Sequence, residues 1–181
     1  MNAPTGYSSS CRGIIRALEE QRVRVSYSYL YGAGTPLPLE EPDDAGDHRL
    51  NVVRERGRSD DHDTAIAFGQ ADAFYRNRGR KRRIGFTMLE VNGFPAEWVR
   101  QANAMDEVWT PTEFNRQGLI DSGVTKPVHV VPLGIDPDHF NPDIRRIENP
   151  RGDFVFLSIF EWGERKYPEL MLKVFNQVFR S

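Results

Sequence analysis

Strand-like and helix-like runs alternate along most of this 181-residue chain, and this alternation limits the possible folds more than any other feature. Three apolar runs, Thr64–Phe68, Ile84–Leu89 and Val128–Pro132, have the length and composition of buried strands. Segments with apolar residues at helical spacing lie between them. This order is typical of an α/β fold with a parallel sheet.

Further elements are predicted from the same patterns. A helix should follow a loop over residues 6–10, and another should follow Pro95. Thr110 is predicted to cap a helix from Phe114 to Ser122 that Gly123 ends. The remaining predicted elements are strands at Val23–Tyr29, Leu50–Val53, Val108–Trp109 and Phe154–Phe160, a loop at residues 32–49, and a helix at Pro168–Phe179.

The domain boundary is predicted at the polar, proline-rich residues 137–152. We expect a first domain over residues 1–140, a linker over 141–152, and the opening strand and helix of a second domain over 153–181. About 29 residues cannot bury a core of their own. The second domain is therefore expected to be truncated, with this chain a fragment of a longer protein.

Composition excludes some classes of function. The formal net charge of -2 gives no general attraction to nucleic acid. A single cysteine, Cys11, cannot form an internal disulfide. No apolar run reaches membrane-spanning length, and the N-terminus lacks the pattern of a secretory signal. These features predict a cytoplasmic protein.

A polar loop after the apolar strand Phe154–Phe160 is the first candidate site. In parallel α/β folds, ligands bind where such a strand ends and a helix begins. The helix N-terminus favours phosphate, and Arg165 and Lys166 add positive charge. The alternative is an ordinary loop with solvated charges.

Three segments resemble glycosyltransferase family 4 and related retaining enzymes of the GT-B fold. The run Pro168–Phe175, PELMLKVF, is similar to a PELLLKAF-like run that follows the family's phosphate-binding loop. The segments Val108–Phe140 and Gly85–Trp98 are similar to passages of the family's first domain. The resemblance implies a Rossmann-like N-terminal domain, on the acceptor side, followed by a truncated Rossmann-like donor domain.

The resemblance also implies roles for residues at the ends of strands. Arg165 and Lys166 would hold the donor diphosphate, with Glu161 at the end of the preceding strand. Glu90 and Thr87 would face the cleft, where Glu90 would contact the acceptor or the donor sugar. The other candidates are Gly6 and Tyr7 of the family's first loop, near the donor phosphates, and Gly134 and Asp136, which would line the cleft or form a turn.

The activity implied is sugar transfer from a nucleotide-sugar to a sugar, lipid or protein acceptor, with retention of anomeric configuration. No metal or other cofactor is expected, because basic side chains would stabilise the departing diphosphate. We expect little activity from this chain alone. A non-catalytic α/β binding module is the alternative.

Two charged segments remain. Six of the eight residues from Arg76 to Arg83 are basic, and they would contact anionic lipid headgroups or form a solvated loop. The run Asp60–Asp63 has residue types that bind metals, but adjacent residues rarely converge on one ion, so no metal site is predicted there.

Overall fold

The computed structural model describes residues 6–28, 30, 48–56, 62–77, 81–145, 152–160 and 162–179. The chain divides into two compact units, Met1–Asn141 and Pro142–Ser181.

The first unit contains a four-stranded parallel sheet. Its strands are β1 (Thr64–Phe68), β2 (Arg82–Phe86), β3 (Glu107–Thr110) and β4 (Val128–Val130), and they lie side by side in chain order. Helices flank the sheet, so the predicted Rossmann-like α/β architecture is confirmed for this unit. Parallel strands all end at one edge of the sheet, and that carboxyl edge is where such folds bind ligands.

The described residues of this unit form four α-helices: α1 (Gly6–Glu20), α2 (His48–Arg56), α3 (Ala96–Asn103) and α4 (Glu113–Asp121). A 3₁₀ helix spans Ala71–Arg76. The main core lies between one face of the sheet and the 3₁₀ helix, α3 and α4. Its members are Ala67, Ala71, Phe74, Phe94, Trp98, Ala102, Met105, Val108, Leu119 and Val124.

Gly85 allows this core to close against β2. A Cβ at this position would lie 2.1 Å from the Phe74 ring, and Phe74 is fully buried. The opposite face of the sheet carries a row of aromatic rings. Phe68 contacts Phe86 at 4.7 Å between centroids, and Tyr7 of α1 contacts Phe68 at 5.5 Å. Helix α1 therefore packs on the face opposite the main core.

Two strands predicted in the first unit are wrong. Leu50–Val53 belongs to helix α2, where Leu50 and Val53 lie one turn apart and pack on Ile15 of α1. Residues 23–28 of the predicted strand Val23–Tyr29 are in no strand. The Val25 amide donates to the Glu19 carboxylate at 3.0 Å instead of to a neighbouring strand.

The predicted cap of α4 is displaced by two residues. Thr110 is the buried last residue of β3, whereas Thr112 caps the helix by accepting a hydrogen bond from the Asn115 amide at 3.2 Å. The capping sequence was recognised correctly, but a second threonine in it performs the role. Gly123 follows the helix with φ of 103°, which confirms its predicted place at the helix end.

The second unit contains helix α5 (Pro168–Val178), preceded by a 3₁₀ turn at Glu164–Lys166. The predicted strand at Phe154–Phe160 is wrong, because residues 152–160 are assigned to no strand. A strand needs a hydrogen-bonded neighbour, and the described residues of this unit provide no other strand.

Among the described residues of the chain, no helix combines the length and apolar character needed to cross a membrane.

Candidate functional site at the carboxyl edge of the sheet

The candidate site lies at the carboxyl end of β2, where the chain leaves the sheet at Thr87. The strand runs on as an extended segment because the Thr87 amide donates to the Trp109 carbonyl at 3.1 Å. The chain then bends at Glu90. Glu90, at the end of this segment, is exposed to solvent.

Tyr7 reaches this segment from the first turn of α1. Its hydroxyl donates a hydrogen bond to the Met88 carbonyl at 3.0 Å. Burial raises the pKa of the Tyr7 phenol, the Thr87 hydroxyl lowers it, and the Glu90 carboxylate raises it. The net effect is a raised pKa, so Tyr7 remains protonated and continues to donate. The structure thus brings Tyr7 next to Thr87 and Glu90, which were predicted together at the end of a different segment.

Thr87 and Thr110 end neighbouring strands, and both are fully buried. The Thr87 side chain lies against the Tyr7 phenol and lowers its pKa through a hydrogen bond. Within the described part of the chain, the Thr110 hydroxyl has no protein hydrogen-bond partner.

Asn115 holds the same segment from α4. It is 4% exposed, and its side-chain amide donates to the Leu89 carbonyl at 2.5 Å. The Leu89 backbone amide in turn donates to the side-chain oxygen Oδ1 of Asn115 at 3.4 Å. Asn115 was not predicted from the sequence. Its position could have indicated a role, because it is a short polar residue in the first turn of a helix that follows a strand ending at the same edge of the sheet.

Gly6 and Tyr7 lie in the first turn of α1, whereas the resemblance had implied that they form a loop. The helix continues to the start of the described segment, so the expected loop does not include them. The first turn of a helix still presents unpaired amides to an anion. The prediction that Gly6 and Tyr7 lie near donor phosphates stays a prediction.

Gly134 and Asp136 lie in the irregular segment after β4. Asp136 accepts hydrogen bonds from the amides of Asp138 and His139 at 3.0 and 3.2 Å. Its carboxylate therefore caps a turn, which was the structural alternative to a role in a cleft. Gly134 has no positive φ, and a Cβ there would meet nothing within 4 Å. The backbone does not require glycine at this position.

In the second unit, Arg165 and Lys166 form the end of the 3₁₀ turn just before α5, and both are exposed. Tyr167 joins the turn to the helix with a left-handed φ of 48°. The basic side chains and a helix start are therefore adjacent, as the sequence predicted. Glu161 lies outside the described residues.

Where the structure describes the basic segment from Arg76 to Arg83, its side chains are mostly paired with acidic residues. Lys81 pairs with Asp63 at 2.6 Å, and Arg82 pairs with the nearly buried Glu107 at 2.7 Å. Arg76 donates to the Leu30 carbonyl at 2.6 Å. The contacts of Lys81 and Arg82 hold one end of the segment beside the sheet, and Arg76 at the other end is held by Leu30. A role in lipid binding stays a prediction.

No group of three or more His, Cys, Asp or Glu side chains that could hold a metal ion occurs among the described residues. Asp60 and Asp61 of the acidic run are not among those residues. No known protein family, curated protein or solved structure matches the chain.

Proposed function

We propose that this chain belongs to a nucleotide-sugar-dependent glycosyltransferase and contains its acceptor-side domain. The observation that carries the proposal is the meeting of Tyr7, Thr87 and Glu90 at the carboxyl end of β2. A carboxylate beside hydroxyl groups is suited to binding the hydroxyls of a sugar, because carboxylate oxygens accept hydrogen bonds strongly. The sequence resemblance supplies the reaction class.

In this proposal the second unit contributes charge. Arg165 and Lys166 precede the N-terminus of an 11-residue helix, and both features favour a diphosphate. During transfer, the bond between the sugar and the diphosphate breaks and negative charge develops on the departing nucleoside diphosphate. Positive side chains that contact this group would lower the barrier. The Glu90 carboxylate would orient a sugar by accepting hydrogen bonds from the hydroxyl groups of the sugar.

The first test is calorimetric titration of the chain with UDP-glucose and with GDP-mannose. We expect one of these probes to bind, and Glu90→Gln to weaken its binding about tenfold through loss of charged hydrogen bonds. The matched control is Glu97→Gln, which changes an exposed glutamate on α3. Equal affinity of the wild type and Glu90→Gln, or no binding of either probe, would contradict the proposal.

A parallel comparison tests the charge in the second unit. Replacing both Arg165 and Lys166 with alanine should weaken binding by more than tenfold, because charge-assisted contacts to phosphate are lost. Lys173→Ala on α5 is the control for a change in charge alone. The outcome that opposes the proposal is an equal loss of affinity in both variants.

A second candidate function is a non-catalytic binding module. The observation that favours it is the large exposed apolar surface of the second unit, where Phe154, Leu157 and Ile159 are each at least 80% exposed. Exposed apolar patches of this kind commonly bind proteins. If neither sugar nucleotide binds, this interpretation replaces the enzyme.

A further inference from the structure

The segment between Thr87 and Glu90 is fixed from both sides, which is unusual for a connection that leaves a strand. From α1, the Tyr7 hydroxyl bonds to the Met88 carbonyl at 3.0 Å. From α4, the Asn115 side chain bonds to both backbone groups of Leu89, at 2.5 and 3.4 Å. We call these three hydrogen bonds the Leu89 clamp. They hold consecutive residues immediately before Glu90.

Asn115 is itself held firmly. It is 4% exposed, it lies in the first turn of α4, and its backbone amide bonds to the Thr112 cap. Its side chain offers one acceptor and two donors, so it pairs with Leu89 as a neighbouring strand would. Aspartate has the same shape but lacks the donor. The site thus requires an amide at this position.

We propose that Asn115 is a positioning residue that acts through Glu90. By fixing the backbone of Leu89, it sets where the exposed Glu90 carboxylate meets a sugar hydroxyl. Without the clamp, Glu90 would have to be ordered when the ligand binds, and this would weaken affinity. The inference rests on the proposed function for the identity of the ligand, whereas the clamp itself consists of contacts within the protein.

The test is a double-mutant cycle with UDP-glucose and GDP-mannose as probes. Asn115→Ala should weaken binding about tenfold, as should Glu90→Gln, and the variant with both changes should bind about as weakly as Glu90→Gln alone. A purely structural role for Asn115 predicts that the two losses multiply. Multiplying losses would therefore overturn the inference.

Two variants accompany this cycle. Asn115→Asp keeps the side-chain volume but loses the donor to Leu89, so it tests the clamp if Asn115→Ala folds poorly. It should show the same loss of affinity. The matched control is Asn103→Ala, because the Asn103 side chain also joins two backbone groups, the Gly123 carbonyl at 3.0 Å and the Thr125 amide at 2.8 Å. Its removal should leave affinity unchanged, and an equal loss of affinity would count against the inference.

NMR of the free protein separates this inference from the proposed function. In Asn115→Ala, the Leu89 amide should exchange with solvent faster, and the ¹⁵N order parameter of Glu90 should fall from about 0.85 towards 0.6. Asn103→Ala should change neither value. If the wild type binds neither probe, the proposed function fails, and these values still decide whether the clamp orders Glu90. Unchanged values in Asn115→Ala would overturn the clamp.

Discussion

At the scale of single residues, Cys11 makes stability depend on pH in a defined direction. Burial raises the pKa of its thiol from an ordinary 9.0 to about 11. Between these values the folded state retains a proton that the unfolded state has lost, so the free energy of unfolding falls as pH rises from 9 to 11. The full effect of such a shift is roughly 2–3 kcal/mol.

The measurement is urea unfolding of the wild type and of Cys11→Ala at several pH values from 8 to 11. Because other groups titrate in both proteins, only the difference between the two curves reports Cys11. We expect the wild type to lose stability more steeply above pH 9. Curves that stay parallel over this range would contradict the assigned pKa.

Among the candidate residues, sequence patterns found those whose positions follow from strand ends. Thr87 and Glu90 close a recognisable apolar strand, so their place at the carboxyl edge could be predicted. Their contacts could not be. The bond from Tyr7 to Met88 joins residues 81 positions apart, and that from Asn115 to Leu89 joins residues 26 apart. Contacts between residues so far apart in the chain depend on how the helices pack on the sheet, and local sequence patterns do not determine this packing.

At the scale of elements, the strands that form the parallel sheet were predicted, whereas the predicted strands that begin at Val23, Leu50 and Phe154 are not strands in the structure. Three of the four residues from Leu50 to Val53 are apolar, and such a short run fits a strand or a helix equally well. What decides is tertiary packing on Ile15. A strand and a helix over these residues would bury different valines, because side chains on one face recur every two residues in a strand and every 3.6 residues in a helix.

This difference gives a direct test of α2. Val53 is 3% exposed and Val52 is 42% exposed. Val53→Ala should therefore lower the free energy of unfolding by about 1–3 kcal/mol through lost apolar burial, while Val52→Ala should change it little. Chemical denaturation of the two variants checks this. A larger loss in Val52→Ala than in Val53→Ala would support the strand instead.

At the scale of the whole molecule, the two units differ in how they cover apolar residues. The first unit buries its main core between the sheet and its helices. In the second, the apolar side chains of residues 154–159 are each more than half exposed. Phe156 contacts Phe175 and Phe179 at 5.7 and 5.2 Å between ring centroids. Leu157 and Ile159 remain at least 80% exposed.

This asymmetry predicts concentration-dependent self-association that depends on the second unit alone. A run of exposed apolar side chains favours association with another chain. Replacing both Leu157 and Ile159 with lysine should reduce association in sedimentation velocity runs at micromolar concentration, because burying two charges opposes pairing. The thermal unfolding of the first unit should not change, since its core contains neither residue. Val52→Lys, which adds a charge to an exposed position of the first unit, is the control and should associate like the wild type. If the lysine pair leaves association unaltered, the contact lies elsewhere and the exposed apolar segment does not cause it.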